Sequence, residues 1–130
     1  MRIPPPLVVL ALAAACASAP PPRAFVHPQF PARRPATVAL TLEGGGDVSA
    51  TLRAAVNRGL IEKDYSVLAP GEPPGPGMGE VIVTVTAGTP SIAAVILMRD
   101  DRKDRLYRAE ARADTPEDLA ERLLTLLPRK

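Results

Sequence analysis

Residues 80–87, EVIVTVTA, set Val81, Val83 and Val85 in one row and Ile82, Thr84 and Thr86 in the other. An apolar row beside a row of mixed polarity is the two-residue period of a strand with one face in a core. The next segment, Ser91 to Arg99, differs because it is apolar in both rows. Ile92, Ala94, Ile96 and Met98 form one row, and Ala93, Val95 and Leu97 form the other. A charged turn, Asp100 to Asp104, leads to Arg105–Ala113, where Tyr107, Ala109 and Ala111 oppose Arg108, Glu110 and Arg112. Short turns between such segments read as antiparallel pairing.

A helix closes the chain. Thr115 is placed to cap it, Pro116 suits its first position, and Asp118 completes a T-x-x-D box. Leu119, Leu123, Leu126 and Leu127 are expected to form its core face, and Pro128 ends it.

Upstream of residue 80, Ala69 to Gly79 is turn-rich and without period. Val38, Leu40 and Leu42 alternate with Thr37, Ala39 and Thr41, giving another half-buried strand. Gly44-Gly45-Gly46 breaks it, and Asp47 is placed to cap a helix. Val48, Leu52, Ala55, Val56, Gly59 and Leu60 recur on one face of that helix, with Gly59 marking close packing or its last turns. Tyr65 to Leu68 reads as a short strand. The expected fold is α+β, a two-layer sandwich in the order β-α-β-β-β-β-α. Its sheet is mostly antiparallel, with both helices on one face.

The first 36 residues read differently. Met1-Arg2 carries a positive charge, and the apolar run Leu7 to Ala15 ends at Cys16, the only cysteine. A basic start, a short apolar core and small residues are the marks of an export signal, and this run is too short to span a bilayer. The expected organisation is a lipoprotein-type signal over 1–15, a lipidated Cys16 with a proline-rich tether over 16–36, and one domain over 37–128. Ala13, Ala14 and Ala15 precede the cysteine, while Leu12 sits one place early for a lipoprotein site. Cleavage at Ala17-Ser18-Ala19, giving a soluble periplasmic or secreted chain, is the competing reading. Six of sixteen prolines lie between Pro20 and Pro35, and polyproline geometry would stretch the tether to roughly 50–60 Å. Within it Phe25, Val26 and Phe30 are candidates to pack on the domain, and His27 reads as solvated.

Composition then narrows the chemistry. The net charge is +2 over 130 residues, 3% are aromatic and none is Trp. Such balance argues against nucleic acid, which requires clustered basic charge and stacking platforms. One His and one Cys cannot build a zinc site, so neither metal nor cofactor is expected. Gly44-Gly45-Gly46 lacks the third glycine of a dinucleotide loop, where Ser49 stands, and the Gly-Lys-Ser/Thr of a phosphate loop. It reads as a plain turn. Asp100, Asp101 and Asp104 lack calcium-loop spacing and read as a solvated hairpin balanced by Arg99, Arg102, Lys103 and Arg105. With His27 in the tether no Ser–His nucleophile is positioned, and the chain is read as not an enzyme.

The helix and strand in DVSATLRAAVNRGLIEKDYSVL, the strand EVIVTVTAG and the closing DTPEDLAERLLTLLP together cover roughly residues 37–128. This arrangement resembles small bacterial envelope lipoproteins with a compact α/β domain, similar in layout to the amino-terminal domain of the Tol translocation protein. The chain departs from that pattern in having Asp64 where Gly is usual and Leu127 where Phe is usual. The resemblance implies an envelope location and no activity or site residues.

Two functions follow as expectations. One is a membrane-anchored accessory in assembly or transport that binds an envelope protein. The other is a periplasmic module for a small or lipidic ligand. Ala17 after the cysteine suits the outer membrane, facing the periplasm. Two helices cover only one face of a sheet, so one apolar row of Ser91–Arg99 is expected on the open face as a contact surface. Either Ile92, Ala94, Ile96 and Met98 or Ala93, Val95 and Leu97 would supply it, unless the segment around Phe25 and Phe30 folds over it.

Overall fold

The computed structural model describes residues 23–87 and 91–129. Alternation turns into sheet as expected: β4 (Gly79–Ala87), β5 (Ile92–Arg99) and β6 (Arg105–Ala113) pair antiparallel in sequence. β2 (Thr37–Glu43) lies parallel to β4 on its far side, and the two-residue β3 (Ser66–Val67) lies parallel to β2. The helices are α2 (Ser49–Glu62) and α3 (Pro116–Leu124), which pack on each other; α2 also touches β2, and α3 touches β5 and β6. The class is α+β with a mostly antiparallel sheet, and residues 37–124 follow the expected element order.

The fold begins earlier than residue 37. β1 (Arg23–Val26) adds a sixth strand antiparallel to β6, giving the order β1-β6-β5-β4-β2-β3. A single turn, α1 (Phe30–Arg33), then buries Phe30 to 1% exposure. This corrects the expected 16–36 tether. An edge strand needs hydrogen-bond partners on one side only, so a four-residue stretch between prolines suffices.

The core lies between the sheet and α2–α3. Val38, Val81, Val83, Tyr107 and Ala109 meet Leu52, Val56, Leu60, Leu119 and Leu123, all wholly buried. The Tyr107 hydroxyl donates to the Leu123 carbonyl at 2.7 Å, bridging β6 and the end of α3. Lys63 Nζ donates to the Leu127 carbonyl at 2.7 Å and ties the two helix ends together. Gly59 lets α2 approach closely, since a Cβ there would sit 2.4 Å from Leu124 Cδ1.

Two helix expectations need correction. Asp47 lies within a 3₁₀ turn, Gly46–Val48, and α2 starts without a side-chain cap. In α3 the Thr115 hydroxyl does accept from Asp118 N, at 3.2 Å. The helix stops at Leu124, however, so Leu124 turns inward and Leu126 is left 48% exposed.

Gly79 opens β4 hard against backbone. A Cβ there would lie 2.7 Å from both the Arg99 carbonyl oxygen and Pro35 Cγ. The former is backbone and cannot rotate away. Gly79→Ala is therefore expected to cost about 2–3 kcal/mol through overpacking, read as a lower midpoint in urea with an unchanged slope.

Candidate functional site

The register of β5 decides which apolar row faces the helices. Ile96 pairs with Val83 and Ala109, both wholly buried, and Ile92, Ala94, Ile96 and Met98 are all buried. Ala93, Val95 and Leu97 take the other side and are only half-buried. Their cross-strand partners there are Ile82, Thr84, Arg108, Glu110 and Arg112. Of the two candidate rows, the second therefore occupies the face away from α2 and α3.

That face has a plain organisation. Ile82, Val95 and Leu97 form an apolar strip, Ala39 lies on the next strand opposite Glu80, and no described helix packs against β4 there. Toward β1 the strip is bordered by Arg108, Glu110, Arg112 and Arg23, with Arg108 bonded to Glu110 at 2.7 Å. Toward β2 the border is Glu43, Glu80, Thr84 and Thr41. Glu80 sits 3.2 Å from Lys103 Nζ and 3.4 Å from Arg99 Nη2. A depression of about 390 Å³ opens among Arg23, Thr86, Ala93, Val95, Glu110 and Arg112. A half-buried apolar strip inside a charged rim is the layout of a contact surface. Phe25 does not cover it: β1 lies beside β6 in the plane of the sheet, with Phe25 opposite Arg108.

The charged turn is not simply solvated. Asp100 is 6% exposed. Its Oδ1 accepts from Arg102 N at 2.9 Å and Asp104 N at 3.0 Å, and its Oδ2 receives Arg33 Nη2. The same guanidinium reaches Asp104 Oδ2 at 2.6 Å. Burial alone would raise the Asp100 pKa, but the two backbone donors and Arg33 outweigh it and hold the carboxyl below its ordinary range. His27 belongs to the same corner. Its Nδ1 accepts from Gln29 N at 2.9 Å, and its backbone N–H donates to the Leu106 carbonyl at 2.9 Å. His27 is thus part of the folded corner, contrary to its reading as solvated.

Other candidates resolve into local structure. Gly44, Gly45 and Gly46 all have positive φ, and a Cβ at Gly45 would come within 3.1 Å of Val85 Cγ2, so the run is a turn folded onto β4. A surface groove of about 330 Å³ between α2 and α3 is lined by charges of both signs, Arg58, Glu62, Lys63, Glu117, Asp118 and Glu121 among them. Among the described residues no group of three or more His, Cys, Asp or Glu side chains is arranged to hold a metal. No described helix is long and apolar enough to cross a membrane. Cys16 lies outside the described residues.

No family model matches the chain, and no curated protein matches it in sequence. Among solved structures it is similar to a PelC dodecamer from Paraburkholderia phytofirmans, with a TM-score of 0.59 at 12% identity. The match covers 80% of this chain and 93% of that one. At such identity the likeness is one of fold.

Proposed function

We propose that the chain is a lipid-anchored accessory of a bacterial cell envelope, held by Cys16 and working by docking rather than by catalysis. Its contact surface is the open face of the sheet. The observation that carries this reading is the apolar strip of Val95, Leu97 and Ile82, half-buried within a charged rim. The anchor is supported by the run from Leu7 to Cys16, and an outer-membrane position facing the periplasm by Ala17.

Partners are of two kinds, another envelope protein in assembly or transport, or a second copy of this chain. The PelC neighbour is a dodecamer, which makes self-association the first state to measure. The filled space between sheet and helices gives the alternative of a small or lipidic ligand no comparable support among the described residues.

The anchor has a direct test. Cells fed labelled palmitate are expected to label the wild-type chain, which pellets with membranes, and Cys16→Ser should lose both label and membrane association. An unlabelled mature chain beginning at Pro20 would overturn the anchor and leave a soluble secreted protein.

A further inference from the structure

We infer that the β1 edge of the domain lies on the bilayer that holds the anchor, with Phe25 and Val26 entering its interface and Arg23 and Arg105 meeting lipid phosphates. The inference rests on the lipid-anchor reading and adds an orientation to it.

Covalent reach is the first ground. The first described element starts at Arg23, and only seven peptide steps separate that residue from Cys16. Fully extended, they span about 25 Å, so the domain cannot be lifted by the roughly 50–60 Å expected of a tether reaching residue 36. Arg23 sits at one edge of the sheet, and β3 forms the other edge, five strand spacings or about 24 Å away. The chain therefore delivers the β1 edge to the membrane first. It also holds that edge at high effective concentration near the surface, so a weak contact is enough to be occupied.

Surface chemistry is the second ground. Among the described residues the strongly exposed large apolar side chains are Ile61, Leu126 and two that are consecutive on β1, Phe25 at 42% and Val26 at 38%. Successive strand residues point to opposite faces, so the pair straddles the edge, where apolar groups can enter a bilayer together. Arg105 lies 5.7 Å from the Phe25 ring centroid, and neither Arg23 nor Arg105 has a carboxylate partner among the described residues. Glu110 is the acid facing this edge, and it is bonded to Arg108 at 2.7 Å. Apolar side chains beside unmatched guanidiniums suit an anionic phospholipid surface.

The corner holding β1 is also fixed. Arg33 ties the segment that follows β1 to Asp100 and Asp104, and His27 bonds to Leu106. This bracing keeps Phe25 and Val26 at a defined place instead of on a loose arm.

The sequence contains no Trp, so one introduced Trp reports on one place. The acylated mature chain, beginning at Cys16, is reconstituted into phosphatidylethanolamine–phosphatidylglycerol vesicles, with or without brominated acyl chains. Phe25→Trp should show blue-shifted emission and quenching by brominated lipid about threefold stronger than Ile61→Trp, which sits on α2 beyond the far half of the sheet. Arg23→Glu with Arg105→Glu should reduce that quenching, whereas neutral phosphatidylcholine vesicles should weaken it without any substitution. Chain that is acylated and pellets with vesicles, yet is quenched equally at both positions, overturns the orientation and leaves the anchor standing. Chain that carries no lipid and stays in solution overturns both.

Discussion

Ile96→Asp is expected to abolish folding, while Val95→Asp, one residue earlier on the same strand, leaves the domain folded. Ile96 is 1% exposed between Val83 and Ala109. Removing its burial costs about 2–3 kcal/mol, and an unpaired carboxylate in that site adds about 3 kcal/mol or more. Together these approach the whole stability of a domain this size, about 5–15 kcal/mol. Val95 is half-buried on the open face, opposite Thr84 and Glu110. An aspartate there keeps its water, and its cost of about 1–2 kcal/mol comes from poorer strand fit and proximity to the Glu110 charge. Far-ultraviolet circular dichroism and thermal melts separate the two outcomes. Loss of the cooperative transition in both variants would mean that the second face of β5 is covered as fully as the first.

The second large effect belongs to Asp100. Asp100→Ala strips the acceptor from two backbone donors and leaves Arg33 with Asp104 and the His27 ring, an expected loss of about 2–4 kcal/mol. Asp100→Asn keeps an oxygen for the backbone donors but loses the charge facing Arg33, and should cost about half as much. The pH dependence has a definite sign. The folded carboxyl titrates below its ordinary value of 3.8, so its contribution is complete above that pH and disappears as pH falls through the depressed value. The stability gap between wild type and Asp100→Asn should hold steady from neutral pH to about 4 and close only below it. A gap that closes between pH 7 and 5 would place the stabilising charge elsewhere.

Much of the fold can be read from residue patterns because the three central strands carry the period of two and α3 carries its cap and proline. Gly59 likewise signals its role, since a glycine on the apolar face of a helix suits close approach to a neighbour. β1 was hidden by its setting. Four residues between prolines have too little pattern to separate an edge strand from a spacer, and only pairing with Glu110 to Tyr107 identifies them. Asp100 was hidden for another reason. Within its own turn it is one charge among many of both signs, and its partner Arg33 lies 67 residues away. The open row of β5 was ambiguous because both rows are apolar; the register against Val83 and Ala109 chooses between them. In α3 the expected face missed Leu124, which is buried in the last turn, and placed Leu126 in the core although it lies past the helix end, where the helical period no longer applies; Leu127 is buried as expected. The contact surface itself required the sheet order, since β4, β5 and β6 contribute to it together with β2, which lies beside β4 although α2 and β3 separate the two in the chain.

The docking role of the open face has one most direct measurement. Wild-type chain and Val95→Asp, each shown to be folded and membrane-associated, are crosslinked in intact cells, and the adducts are identified by mass spectrometry. The wild type should give discrete adducts, either with a second copy or with a defined envelope protein, and Val95→Asp should lose them at equal abundance. Adducts of the same identity and yield in both would show that partners bind elsewhere on the molecule and would contradict the open face as the contact surface.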